Sequence, residues 1–326
     1  MIHKLLAVSL LFSLAPVGAK NVPVEIDEWT VEWQNTRPRD PAVADDGRVW
    51  FVGQAGDYAA VFDPGDESFK RFDLPDGAGP HTIYITRDDQ IWYTGNKARH
   101  LGRIDPDTGE IEQVAMPEGE LDDPHTLFED SQGRLWFTAQ WANQVGRYDR
   151  ESGEIVHVDV PTERARPYGI EVDGDDVAWV VLLGTNKIVR ITPDMKLTEI
   201  ELPREDARPR RIAITGRGIW YVDYARGYLG LYDPGAGEFR EWQSELGHRS
   251  GPYAMAADDQ GRIWFVETHP DPNRFVGFDP ESESFFSITE IPSGAGAVRH
   301  MVFDPPRNAV WFGTDTNNLG RARLPE

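Results

Sequence analysis

Seven tryptophans recur along the chain at nearly even spacing: Trp50, Trp92, Trp136, Trp179, Trp220, Trp264 and Trp311, separated by 42, 44, 43, 41, 44 and 47 residues. A period in the forties built of short apolar runs signifies one four-stranded sheet per repeat, with the sheets set radially as propeller blades. Each repeat follows one grammar. A Pro and a polar or aromatic residue open it: Pro38-Arg39, Pro80-His81, Pro124-His125, Pro167-Tyr168, Pro209-Arg210 and Pro252-Tyr253. In the seventh repeat Val298-Arg299-His300 takes that place. A short strand such as Ile83-Tyr84-Ile85 leads to a polar turn such as Asp88-Asp89-Gln90, whose residues tolerate positive φ or bond their own backbone. The Trp strand follows, then a third strand marked by Leu101-Gly102-Arg103 or Val145-Gly146-Arg147. Asp-Pro pairs stop the third strand, since proline cannot continue a paired ladder. The seventh repeat has no outer strand of its own. Glu28-Trp29-Thr30-Val31, ahead of the first repeat, is expected to supply one and so to pair the open edge. The expectation is an all-β, seven-bladed β-propeller with four-stranded antiparallel blades, a single monomeric domain over residues 20–326, and periodic tryptophans packed between sheets.

The first residues read differently. Lys4 precedes the apolar run Leu5 to Leu14 and the small-residue stretch ending at Ala19. That is the pattern of a secretory signal peptide over residues 1–19, and the run is too short for a membrane-spanning helix. A periplasmic or secreted protein with no membrane span is expected. The chain has no cysteine, which removes thiol nucleophiles and thiolate zinc sites; a core of this size does without disulfides. A net charge of −22 argues against nucleic acid or an anionic membrane as partner.

In an antiparallel meander the start of the first strand and the end of the second share a face. One mouth of the channel should therefore gather Arg39, His81, His125, Tyr168, Arg210, Tyr253, Arg299 and His300. The residues three past each Trp, among them Asp223 and Glu267, form a second ring there. Trp141 falls outside the period, at the end of a second strand, and is expected to face a ligand. Basic and aromatic side chains around one opening of an acidic protein suit a small polar or anionic molecule. Glu267-Thr268-His269 is the sharpest element, because residues i and i+2 of an extended strand point to the same side. Such a carboxylate and imidazole either share a divalent metal or pair as orienter and general base. Asp223, one blade earlier at the phase of Glu267, is the candidate second carboxylate.

The runs PHTLFED at Pro124–Asp130, LWFT at Leu135–Thr138 and NQVGR at Asn143–Arg147 resemble the blade signature of streptogramin B lyases, also called virginiamycin B lyases. The resemblance extends over all seven repeats. It implies a seven-bladed propeller and an elimination that linearises a cyclic depsipeptide: a His removes a proton beside a carbonyl, Mg²⁺ held by carboxylates stabilises the enolate, and the ester oxygen leaves. Carried onto this chain, it implies His269 as the base and Glu267 as a metal ligand, with Asp223 substituting for a second one. A further His of that family, one repeat earlier, falls here on Tyr224 and Ala225. Two other functions use the same mouth: a non-catalytic periplasmic ligand-binding or protein-interaction propeller, and a lactonase-type metal hydrolase.

Overall fold

The structure is a computed structural model that describes residues 11–12 and 21–326. The expected leader, residues 1–19, lies outside the described residues except for Leu11–Phe12, which runs parallel to Glu238–Gln243. The remaining strands form seven four-stranded antiparallel sheets. Blade 1 takes Pro38–Val43, Val49–Gly53, Tyr58–Asp63 and Ser68–Asp73 from the channel outwards. Blades 2 to 6 repeat that order, opening at Pro80, Pro124, Pro167, Pro209 and Pro252. Blade 7 is built from Met301–Asp304, Ala309–Gly313, Asn318–Arg323 and, as its outer strand, Glu25–Thr30. The N-terminal strand thus closes the ring, three residues earlier than the sequence suggests. Among the described residues no helix is long and apolar enough to cross a membrane.

The core is divided into seven interfaces between neighbouring blades. Each interface buries one periodic Trp together with the residue that follows the next Trp around the ring. Trp50 shares a cluster with Tyr93, Trp92 with Phe137, and Trp136 with Val180. Trp179 lies with Tyr221, Trp220 with Phe265, Trp264 with Phe312, and Trp311 with Phe51. A large aromatic at this phase excludes water from two sheets at once, which is why the spacing persists. The glycine of the third strand is the counterpart. Gly102 lies opposite Tyr93 and Gly146 opposite Phe137. A Cβ on either would lie 2.1 Å and 2.5 Å from the facing ring, so in these two blades glycine makes room for the aromatic.

The first strands carry the feature that shapes the channel. In blades 2 to 6 the opening Pro pairs with the residue three past the Trp, as in Pro80↔Gly95 and Pro252↔Glu267, and the register then shifts before the third following residue. Blade 1 does the same between Arg39 and Ala42. Such an irregularity bends the strand and re-aims its side chains. Here it brings the two residues after each Pro to the throat of the channel.

Candidate functional site

Most of the ring expected at the proline mouth does converge, but as a packed throat. The rings of His81 and His125 lie 3.4 Å apart between centroids, and Tyr168 follows His125 at 4.3 Å. The Tyr168 and Tyr253 hydroxyls share a 2.5 Å hydrogen bond. Arg39, His81, His125 and Tyr168 are buried. Burial holds His81 and His125 well below the usual imidazole range, helped by Arg39 and Arg211, and brings His300 down to about 4. All three are therefore neutral at pH 7. Burial opposes ionisation of Tyr168, but Arg211 and Arg39 outweigh it and lower its pKa, whereas burial raises that of Tyr253.

Two residues that the sequence reading left out tie this throat together. Asp40 and Arg211 follow Arg39 and Arg210 by one position and meet across the channel at 3.3 Å. Asp40 takes a left-handed φ of 43°, which Asp tolerates better than most residues. Its carboxylate accepts the Thr82 hydroxyl at 2.9 Å and lies 3.7 Å from His81 Nδ1 and from Arg39 Nε. Arg211 donates to the Arg299 carbonyl at 2.8 Å and to Thr126 Oγ1 at 3.2 Å. Burial alone would raise the Asp40 pKa; Arg211, His300 and Arg39 hold it down at about 2. Beside this pair the space bounded by Arg39, Asp40 and Arg299 has no room for a water molecule. The throat is a packed plug in which Arg39, His81 and His125 are buried.

What remains open at the proline mouth lies on blades 5 to 7. Arg210 stacks on Tyr224 at 4.2 Å and on Tyr253 at 5.3 Å, and its Nε has no partner among the described residues. His269 is exposed, edge-on to Tyr224 at 4.9 Å. It rests on Gly251, whose φ is +54° and where a Cβ would come within 2.5 Å of the imidazole. The ring nitrogens of His269 take no hydrogen bond from the described residues. Arg299 is engaged with Asp315. Trp141 is 67 % exposed and capped by Arg166 at 4.2 Å, with no aromatic contact to the rest of the ring. Tyr224, which touches Arg210, Tyr253 and His269, is the residue of this group that the sequence did not single out.

The carboxylates sit differently from expectation. Glu267 ends the second strand of blade 6, so the alternation that would align it with His269 stops there. His269 lies in the following turn, and Glu267 is buried at 1 % exposure behind it. Its Oε2 faces Arg274 Nε at 3.1 Å, its partner on the third strand, and its Oε1 accepts the Ser244 hydroxyl. Asp223 is wholly buried, accepting the N–H groups of Arg208 at 2.9 Å and Ala225 at 3.1 Å, with Arg204 at 3.7 Å. Burial raises the pKa of both. A guanidinium already stands where each carboxylate would meet a cation, and no group of three or more His, Asp or Glu among the described residues is placed to hold a metal. The residues present do not fit a Mg²⁺ site.

The fold has close parallels among solved structures. Virginiamycin B lyase from Staphylococcus aureus superposes with a TM-score of 0.84 at 24% identity, over 93% of this chain and 100% of that one. A streptogramin B lyase structure gives 0.84 at 23%, over 93% and 98%. The propeller of Doa1, a WD40 domain, gives 0.74 at 13%, over 91% and 96%. No curated protein matches the chain in sequence. The profile of the virginiamycin B lyase family matches residues 15–269, and the chain belongs to that family.

Proposed function

We propose that the chain is a carbon–oxygen lyase that opens an ester or lactone ring by elimination at the proline mouth, with His269 as the base. One imidazole nitrogen takes the proton from the carbon beside a carbonyl, the C–H electrons form a carbon–carbon double bond, and the C–O bond to the ester breaks, releasing a carboxylate. Arg210 is the cation that polarises the carbonyl, a role that a fixed guanidinium fills without a metal. The observation that carries this reading is the unpartnered His269 imidazole, held at the mouth by Gly251 and Tyr224 in the same aromatic group as Arg210. Residues 1–19 support action in the periplasm or outside the cell.

The test is incubation with quinupristin, the ligand named for a catalytically inactive His-to-Ala variant of the S. aureus enzyme. Elimination opens the ring at unchanged mass and adds a conjugated chromophore; hydrolysis by a lactonase adds the mass of water. His269→Ala is expected to lower kcat by about 10²–10⁴-fold, and chelation of divalent cations to leave kcat unchanged. Full activity in the His269 variant rejects the base, and loss of activity on chelation restores the metal-dependent mechanism. A second reading, a non-catalytic ligand-binding propeller, is favoured because no carboxylate among the described residues orients His269. It is upheld if the cyclic ester binds and is recovered intact.

A further inference from the structure

Below the Asp40–Arg211 plug the channel widens into a cavity of about 390 Å³, within the range of small-molecule sites. It is lined by the second halves of the seven first strands, so it opens on the face opposite His269, where the first strands turn into the second. The wall mixes apolar and polar surface, with Ala42, Tyr84, Phe128, Ala213, Ala256 and Val302 at one level. Glu171 stands at that same level. Its Oε2 accepts the Ile214 N–H at 2.9 Å; it makes no ion pair among the described residues, and it keeps some water-accessible surface. The other titratable or charged side chains on the cavity are Tyr84, Arg211 and His300. Arg211 is engaged by Asp40, Thr126 and the Arg299 carbonyl. Glu129, at the rim on blade 3, is neutralised by Arg87 at 3.1 Å and Arg150 at 2.8 Å.

We propose that this lower channel is a second ligand site, for a small molecule with an apolar body and one protonated amine, and that Glu171 takes the ammonium. Two observations and one physical argument select a cation. The cavity offers one free carboxyl and no free cation. An enclosure without a charge partner would leave that carboxyl with nothing to stabilise its ionised form. The turns around this mouth carry Asp45, Asp89, Asp175 and Asp259, all exposed and without ion pairs among the described residues, so the field at the entrance draws cations and repels anions.

The charge of the site gives the binding a proton signature. Burial in the low-dielectric wall raises Glu171 to about 8, against the small lowering by the Ile214 N–H. At pH 7 the empty site holds a neutral acid, and an ammonium that pairs with it must expel the proton. The test titrates the full chain with n-hexylamine, with hexanoate and hexan-1-ol as control probes. The expected Kd for hexylamine falls about tenfold from pH 6 to pH 7 and levels off above pH 8, because each pH unit below the acid's titration is a factor of ten. Close to one proton per amine is released at pH 7, read from calorimetry in buffers of different ionisation enthalpy. Glu171→Gln is expected to weaken binding at least tenfold at pH 8 and to abolish the pH dependence, while His269→Ala changes neither. The proposal is overturned if hexylamine does not bind, if hexanoate or hexan-1-ol binds as tightly, or if binding releases no proton. It is overturned equally by a folded Glu171→Gln protein that binds like the wild type. The His269 variant keeps failure here distinct from failure of the lyase reading.

Discussion

At the scale of single residues the most consequential pair is Asp40 with Arg211. Both are almost wholly buried and meet across the channel, so neither charge has water to fall back on. Removing one partner of a buried pair costs about 3–5 kcal/mol, because the other is left uncompensated, whereas replacing both with apolar groups is often neutral. Asp40→Asn, which removes the charge but keeps a residue that tolerates the left-handed backbone, is therefore expected to lose stability on that scale in urea unfolding, and adding Arg211→Met to recover most of it. Two additive losses would mean that each side chain acts alone. The pH dependence has a defined direction. Asp40 titrates near 2 in the folded protein, below its usual 3.8, so its stabilising contribution of about 2 kcal/mol is whole above pH 4 and drains as the pH falls towards 2. The gap between wild type and the Asp40 single variant should narrow over that interval. The repeat could have exposed this pair. One step past the examined ring, the Pro+2 positions are Asp40, Thr82, Thr126, Gly169, Arg211 and Ala254, a single acid and a single base in an otherwise uncharged set. The placing of Glu267 beside His269 was beyond such reading. Strand alternation aligns i with i+2 only while the strand lasts, and nothing in the residues fixes its end at Glu267.

At the scale of the element, the turn between first and second strands explains why the Trp strands of blades 3 to 6 start where they do. In blade 3 Asp130 accepts the backbone N–H groups of Gln132 and Arg134 at 3.0 Å with one oxygen. Its other oxygen takes the Arg134 guanidinium at 2.6 Å and the Trp136 indole N–H at 2.9 Å. Asp173 and Asp258 hold Trp179 and Trp264 in the same way at 2.8 Å, and in blade 5 the Thr215 hydroxyl serves Trp220 at 3.0 Å. One side chain thus fixes both the turn and the ring that fills the interface. Asp130→Ala leaves several buried donors without partners and is expected to cost about 2–4 kcal/mol. Asp130→Asn, which keeps one carbonyl for the turn but faces the indole with an amide, should fall between. Equal losses in the two would assign the whole effect to the indole and guanidinium side. The Trp period and the Gly of the third strand were plain in the sequence because each answers a steric demand repeated in most blades. The Asp six residues before the Trp was less so, because that position is Ala44 in blade 1, Thr86 in blade 2 and Ile214 in blade 5, and Asp also serves as an ordinary turn residue.

At the scale of the molecule, the two halves of the channel and the seven interfaces depend on a closed ring. Closure rests on six residues, Glu25–Thr30, paired in full register with Asn318–Arg323. Trp29 from that strand stacks on Trp311 at 5.5 Å, and Val31 is wholly buried in the interface between blades 7 and 1. Without it the third strand of blade 7 would present an unpaired edge, a template for another chain, and the interface holding Trp311 and Phe51 would open to water. A chain starting at residue 32 is therefore expected to melt roughly 10 °C or more below the protein starting at residue 20, the scale set by losing several kcal/mol in a domain of this size. It should also associate, as seen by light scattering on a sizing column. Adding a peptide of residues 21–33 should reverse that association and return most of the lost Tm, since the strand needs no covalent link to pair. A truncated chain that stays monomeric with an unchanged Tm would show that blades 1 and 7 hold each other without the strand, and that the ring is closed by the interface alone.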